Sequence, residues 1–511
     1  MPARAAQHRY ARRWPRAVRV GRLGMSDRIR SKALRARVMD ADEAVERFVP
    51  ERGSIAFSCM AGSSLAKEVP EALARSADAG RRYELTLLTG GATTARFEAC
   101  AARLGVRRRF PYLSEGARKA VNEGSVEFFD CRIGEYPDLV RRGTFTGGGP
   151  VDVAVVEATA IDERGHLIPG LSVDAMAAFV DASRRVIVEV NERKPDLTGL
   201  HDLYRVRPGV PIPIRGVRDR VGRPFISIPA SRVAAVVRTD RGDEPSGAYS
   251  ATVPTDFRIA EVLATFLEAE LAADAWGGRF ALQLGAGPLA AALMDALPFR
   301  GADVWTEGIP ARWATVLGER VRGISTTAMY GLPGDGDVTE DLVKRLDAIL
   351  EHVVLRPYEV TNSLEVIARL NVVTVQQAIE VDVFGGVNAS HIRGDAHNGV
   401  GGSQDFTRAA RLVVVAMPST AAGDRFSRIV PIVSSPDIPR QDVDVLVTEQ
   451  GVADLRGLSV RERAEAIIDR CTHPRFRDDL WAYFRKAKEA GGHLPFSLEA
   501  ALRFAELHRG G

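Results

Sequence analysis

Several stretches of this chain combine residue types and spacing suited to chemistry at a carbonyl carbon. The longest is Gly385 to Phe406, GGVNASHIRGDAHNGVGGSQDF, where the run IEVDVF empties into a glycine-bearing loop ahead of TRAARLVVVAM. Glycine accepts positive φ and lets backbone N–H groups approach a ligand, so Gly399, Gly401 and Gly402 can offer successive donors to an anion or a developing oxyanion. Asn388, Ser390, His391, Asn398 and Ser403 add side-chain polarity. The same glycines would also suit a plain connector, so the loop alone does not fix a role.

Glu307, in ADVWTEGIP, ends an apolar strand at the place where ligands gather in open α/β sheets. A carboxylate set among Trp305, Ile309 and Pro310 must be paired, carry a raised pKa, or act chemically, and carboxylates serve as covalent nucleophiles. A helix-capping or partly solvated acid fits these residues equally well. Glu449, in LVTEQGVADLRG, repeats the pattern of apolar strand, Thr-Glu and glycine turn. Asn362, in RPYEVTNSLEVIARL, stands where a loop enters a helix and would suit an N-cap. In the first half, SCMAGSSLAKEVP can hold an anion through Ser63, Ser64 and a helix N-terminus, or simply join strand to helix. Arg220, in DRVGRPFISIP, can take a carboxylate or phosphate, although an arginine there is by default a surface residue.

The elements that must position these residues alternate strand and helix. A helical pattern spans 27–49, then ERGSIAFSCM reads as a strand, KEVPEALARSADAG as a helix, ELTLLTGG as a strand and ARFEACAARLG as a helix. VEFFD, the helix around DLVRRG, and the strands VDVAVVEATAI, RRVIVEVN and SRVAAVVRTD continue the series. A parallel sheet covered on both faces follows. Residues 241–256, RGDEPSGAYSATVPTD, read as a linker, after which the rhythm restarts with a long helix and the strand FALQLG. The fold class is therefore α/β, with domains at 27–240 and 257–511 and a cleft between them as the natural ligand site.

At 511 residues the chain is long enough for two or three domains, and its 45% hydrophobic and 26% charged content is that of a folded globular protein. No apolar run approaches the ~20 residues of a membrane span, so no membrane role is expected. Four dispersed cysteines without a CxxC pair favour a reducing compartment, and nine histidines without an HExxH cluster indicate no metal. GAGP is a lone Gly-x-Gly, too little for a nicotinamide site. Seven arginines and no acid fall within residues 1–24, so the body of the chain is mildly acidic despite the overall +3, which argues against nucleic acid. Segment 1–26 is then a disordered basic tail, an organellar transit peptide, or the result of a true start at Met25.

Taken together, VDVFGGVNASHIRGDAHNGVGGSQDF, IVPIVSSPDIPRQDVDVLVTEQGVADLRGLS and RPYEVTNSLEVIARLNVV resemble the acetyl-CoA hydrolase/transferase family of class I CoA-transferases, most of all its succinyl-CoA:acetate branch. SDRIRSKALRARV, RRFPYLSEGARKAVNEG, GGPVDVAVVEATAIDERGHLIP and VIVEVN agree in the same order, so the likeness runs from residue 28 to about 490. The resemblance implies two related open α/β domains and a catalytic glutamate at Glu307. That glutamate would carry CoA as a glutamyl thioester between an acyl-CoA (succinyl-, acetyl- or propionyl-CoA) and a short carboxylate such as acetate or succinate. Coenzyme A enters as a substrate, with no metal, nicotinamide or flavin. By the same likeness Gly401 or Gly402, with Ala286 in the GxG turn, would donate to the oxyanion; Asn362, Glu449 and Arg220 would bind or orient. Gly399, Asn388, Ser403 and Ser58 complete the expected substrate and CoA contacts. The expected assembly is a cytoplasmic homodimer, or a mitochondrial matrix protein if the start is a transit peptide. An acetyl-CoA hydrolase and a non-catalytic CoA-binding protein are the alternatives. The chain departs from the family at SCMAGSSLAK, 58–67, in place of a Ser-Gly-Phe-Thr-Pro-Ala-Gly-like loop, and at GIPARW after the glutamate, which leaves the acyl preference open.

Overall fold

The computed structural model describes residues 27–246, 252–273, 279–285, 288–297, 300–332 and 338–508. The basic segment 1–26, part of the expected linker, and Ala286 lie outside the described residues.

Each half is built on one twisted sheet. In spatial order the first holds Glu127–Phe128, Val106–Phe110, Glu84–Thr89, Arg52–Phe57, Val151–Ile161, Ser183–Asn191 and Val233–Thr239, all parallel, with Leu167–Pro169 antiparallel beside Val151–Ile161. The second holds Val353–Leu355, Val321–Thr326, Ala302–Trp305, Ala281–Leu284, Val372–Gln377, Leu412–Ala416 and Val445–Thr448 in parallel, and closes with antiparallel Gly451–Asp454. Helices cover both faces, so the central strands are apolar throughout: Val151–Ile161 is buried at all positions but Asp152. In each sheet the first strand in sequence lies inside, and the strand order reverses beside it. The reversal points fall at Arg52–Phe57, which leads into Ser58–Lys67, and at Ala281–Leu284, which leads into Gly285. Ligands collect at such points in open α/β sheets.

The halves are stitched together by main-chain hydrogen bonds. Val173 N donates to Thr327 O at 3.1 Å and Met329 N to Leu171 O at 2.9 Å, while Asp202 N reaches Leu355 O at 2.8 Å. One apolar core crosses the seam: Leu171, Val173, Leu197 and Leu200 pack with Ile309, Ile324, Met329 and Leu355. Arg356 is fully buried there, ion-paired with Asp202 and stacked 5.5 Å over the Trp305 ring.

Two expectations change, and one strand stands where the sequence reading named no element. The helical span 27–49 is two short helices, Lys32–Arg35 and Ala41–Phe48, because the chain between and before them laces onto the first sheet: Ile161 N donates to Arg28 O and Val236 N to Arg37 O. VRRRF, 106–110, is a strand although three of its five residues are arginines; Arg107 and Arg108 face solvent, while Arg109 is buried against the Glu98 carboxylate. The residues 241–246 at the start of the expected linker belong to the first half. Asp243 there is locked between the buried ammonium groups of Lys67 and Lys194, at 2.7 and 2.6 Å.

Candidate active site

Glu307 is placed by the end of its strand. Thr306 N donates to Ser325 O at 3.0 Å and Thr306 Oγ1 to Leu284 O at 2.9 Å, which pins the residue before it to both neighbouring strands. The Glu307 carbonyl accepts from Thr327 N and Ala328 N, at 2.8 and 3.1 Å. With the backbone held on both sides, the half-buried side chain stands beyond the carboxyl end of the strand.

Two other segments meet it there. Asn362 caps the C-terminal end of the helix Tyr358–Thr361 and is not the N-cap that its local sequence suggested; Ser363 takes that position for Leu364–Arg369. Its side chain is buried, and Nδ2 donates to Glu307 Oε1 at 2.5 Å. From the glycine loop, Gly402 lies flush against the same oxygen: a β-carbon built on Gly402 would fall 1.3 Å from Glu307 Oε1. Among the described residues, the N–H groups of Gly401 and Gly402 have no acceptor within the protein. Burial pushes the Glu307 carboxyl up to about 7; the Asn362 hydrogen bond opposes this, and the charge of Asp405 adds to it.

The glycine loop comes from the second half but is shaped by the first. Ala396 N and Ala396 O are bonded by Asn122 Oδ1 and Nδ2 at 2.8 and 3.1 Å, Arg118 Nε donates to His397 O at 2.7 Å, and Val400 N to Asp130 Oδ2 at 3.0 Å. Ile133 N donates to Gly401 O at 3.2 Å. Gly401 has φ +63°, and a β-carbon there would come 2.7 Å from the Tyr112 hydroxyl. At Gly399 a β-carbon would meet Pro111 O at 2.3 Å. Glycine at 399, 401 and 402 is thus required by close approach, and at 401 also by conformation.

The wall next to Glu307 comes from the atypical loop 58–67. A β-carbon on Gly308 would lie 2.9 Å from Met60 Cε and 2.9 Å from Tyr330 Cε1, so the Met60 methyl and the Tyr330 ring close over the residue following the glutamate. The Tyr358 hydroxyl is buried nearby with no hydrogen-bond partner among the described residues; burial, reinforced by the Asp174 and Glu307 charges, holds its proton on.

Of the residues singled out in the sequence, the structure brings together Glu307, Asn362, Gly401 and Gly402. Others are engaged in building the fold. Ser58 donates to buried Asp174 Oδ2 at 2.7 Å. Ser403 starts a short helix and donates to Val400 O at 2.9 Å. Asn388 spends its amide on the loop itself, donating to Glu380, His391 O and Ser434 and accepting from Ser390 N and His391 N. Arg220 corrects the expectation of a ligand-facing cation: it donates to the carbonyls of His201 and Val353, at 3.1 and 3.4 Å, tying the two halves together. Glu449 sits at the end of Val445–Thr448, four strands along from Ala302–Trp305, where Ser419 N and Gln450 Nε2 donate to it at 2.9 and 3.0 Å. These hydrogen bonds outweigh burial and hold it below the usual carboxylate range. The residues that sequence reasoning passed over are Asp405, Tyr112, Asp130 and Asn122. Only Asp405 carried a signal, as an acid inside the glycine motif beside an apolar residue.

Among the described residues no three His, Cys, Asp or Glu side chains gather as a metal would require, and no helix is long and apolar enough to cross a membrane. The four cysteines are free and buried.

The family model described as the acetyl-CoA hydrolase/transferase N-terminal domain matches residues 25–210, and that of the C-terminal domain matches 339–484. The chain is 35% identical to a succinyl-CoA:acetate CoA-transferase of Clostridium kluyveri, over 93% of its own length and 89% of that protein. It is 31% identical to an acetyl-CoA hydrolase of Schizosaccharomyces pombe, over 94% and 96% of the two chains. The solved structure of RipA from Yersinia pestis superposes with a TM-score of 0.68, covering 90% of this chain and 98% of that one; at 22% identity the likeness is one of fold.

Proposed function

The chain is an enzyme of the acetyl-CoA hydrolase/transferase family, and from that premise we propose that it moves CoA from an acyl-CoA to a short carboxylate through a thioester on Glu307. The observation that carries this reading is the meeting of three distant segments on one oxygen: Glu307 Oε1 receives the Asn362 amide at 2.5 Å and rests against Gly402. A carboxylate raised to about 7 is more basic, hence more nucleophilic, than a solvated one and is still largely ionised just above neutrality.

The ionised Glu307 oxygen attacks the thioester carbonyl; the carbon–sulfur bond breaks, giving a mixed anhydride and CoA thiolate. The thiolate adds to the glutamyl carbonyl and expels the first carboxylate, leaving Glu307 as its CoA thioester. An incoming carboxylate runs both steps in reverse, so the thioester energy is kept. Each addition places negative charge on a carbonyl oxygen, where the unengaged N–H groups of Gly401 and Gly402 would receive it, each worth about 3–4 kcal/mol. Ala286, in the GxG turn, is proposed as a further donor. The CoA moiety would run over the strand ends of the second half towards Glu449, about 19 Å away at the usual strand spacing.

Incubation with acetyl-CoA alone should add the mass of CoA to a peptide containing Glu307, and Glu307→Ala should abolish both labelling and exchange. Full exchange by the variant would refute the assignment. The S. pombe relative supports a second reading, hydrolysis, in which water resolves the same intermediate. CoA release that rises when acetate or succinate is added speaks for transfer; release indifferent to carboxylate speaks for hydrolysis.

A further inference from the structure

Asp405 sits in the helix Ser403–Thr407 that begins at the glycine loop, and it is 4% exposed. Its Oδ2 accepts from Gly134 N at 2.9 Å and from Asn362 Nδ2 at 3.1 Å. Both hydrogens of the Asn362 amide are therefore assigned, one to Glu307 Oε1 and one to Asp405 Oδ2, while Asn362 Oδ1 accepts from Thr361 Oγ1 at 2.9 Å. Flipping the amide would turn its oxygen onto two carboxylates. The packing is close here: a β-carbon on Gly134 would come 2.9 Å from both Asp405 Oδ2 and Asn362 Cβ. Among the described residues no lysine or arginine forms an ion pair with Asp405.

We propose that Asp405 is a positioning residue for Glu307: through the Asn362 amide it fixes the N–H aimed at Glu307 Oε1, and it sets a fixed negative charge against the ionised glutamate. The proposal rests on Glu307 being the covalent nucleophile. Acylation removes the glutamate charge, so repulsion from Asp405 destabilises the free carboxylate and not the anhydride or thioester, which favours attack. The other groups facing the pair are Arg132, Glu135, Asp130 and Cys131 from the segment before the helix Tyr136–Arg141, and the Tyr358 and Tyr112 hydroxyls. Burial lifts Asp405 itself to about 6, so it is ionised at the alkaline end of the experiment below.

The test is the rate at which acetyl-CoA alone attaches CoA to Glu307, read by intact mass from about pH 5.5 to 9. Asp405→Asn keeps an oxygen acceptor for Gly134 N and Asn362 Nδ2 but removes the charge. It should move the acid limb down by about one pH unit and lower the plateau about tenfold. Asp405→Leu, which also strands both N–H donors, should lose about a hundredfold at every pH, and counts only if its thermal transition is native-like. A native limb and plateau in Asp405→Asn overturn the proposal. If the native chain attaches no CoA to Glu307, it is the nucleophile reading itself that falls.

Discussion

The amide nitrogen of Asn362 stands 2.5 Å from Oε1 of Glu307, across 55 residues of sequence. Because the donor is preorganised, it holds Oε1 in a single orientation with no ordering cost at the moment of attack. Asn362→Ala removes that restraint and leaves Glu307 facing Asp405 with no N–H between them. kcat should fall about 10²- to 10³-fold with a smaller change in KM, and the acid limb of the pH–rate profile should move upwards. Steady-state kinetics from about pH 6 to 9 measure both. An unchanged limb would show that the hydrogen bond does not reach the reacting state.

Glu307→Gln separates charge from shape. The glutamine fills the same volume and can still meet Asn362, but it cannot attack a thioester, so exchange should fall by at least about 10⁴-fold, as when other enzymes lose a covalent nucleophile. KM for acyl-CoA should stay near native on the proposed placement of CoA along the second half, away from this side chain. Residual exchange within about tenfold of native would sink the covalent pathway.

The same variant carries a stability signature. Glu307 titrates near 4.5 when unfolded and about 7 in the folded chain. Its raised pKa gives stability that is full below about 4.5 and is lost as the pH rises through about 7. Glu307→Gln never takes on the buried charge, so it should be more stable than native at pH 8, by about 2 kcal/mol after allowing for partial exposure, and nearly equal at pH 5. Chemical denaturation at the two pH values checks the sign.

Adjacent glycines should fail in different ways. Gly402 has φ −100° and ψ 4°, open to any residue, so Gly402→Ala strains no backbone; its methyl lands on Glu307 Oε1. Activity should drop about 10²-fold or more while the melting temperature barely moves. Gly401 has φ +63° and the Tyr112 hydroxyl in the way, so Gly401→Ala should lose about 1–2 kcal/mol of stability as well as activity. Paired melting curves and rates distinguish them, and equal stability losses would place the glutamate elsewhere.

Local patterns reveal the parts of this site but not the joints between them. Alternating strands and helices foretell two parallel sheets, and Thr-Glu at a strand end foretells a carboxylate beyond the sheet at Glu307. The glycine run foretells close approach at 399, 401 and 402. What stays hidden is which segments meet once the chain has folded. Nothing near Asn122 or Asp130 marks them as partners of Ala396 and Val400. Arg220 shows the converse: an arginine in a polar loop reads as a ligand cation until the seam between halves gives its donors to His201 O and Val353 O. Asn388 reads as a binding group for the same reason, because its five bonds tie the loop to itself and to Glu380 and Ser434, partners that its neighbours in sequence do not disclose.

Met60 walls the site beside the residue that follows Glu307. Its Cε lies 2.9 Å from where a β-carbon on Gly308 would stand, so its methyl occupies space beside the residue that follows Glu307. It comes from the 58–67 loop, one of the two places where the chain leaves the family pattern, so the acyl preference should be written there. Met60→Ala deletes three heavy atoms next to the thioester's acyl group and opens room for a longer chain. One extra methylene is worth about 1–3 kcal/mol in such a pocket, so kcat/KM for propionyl-CoA relative to acetyl-CoA should rise about 10- to 200-fold. The variant also leaves a cavity at a residue only 6% exposed, which should cost about 2–5 kcal/mol if the site does not collapse. The specificity ratio is insensitive to the fraction of folded enzyme, because both substrates meet the same molecules. A ratio unchanged from native, in a variant that still turns over acetyl-CoA, would move the acyl pocket away from Met60 and leave the rest of the Glu307 site intact.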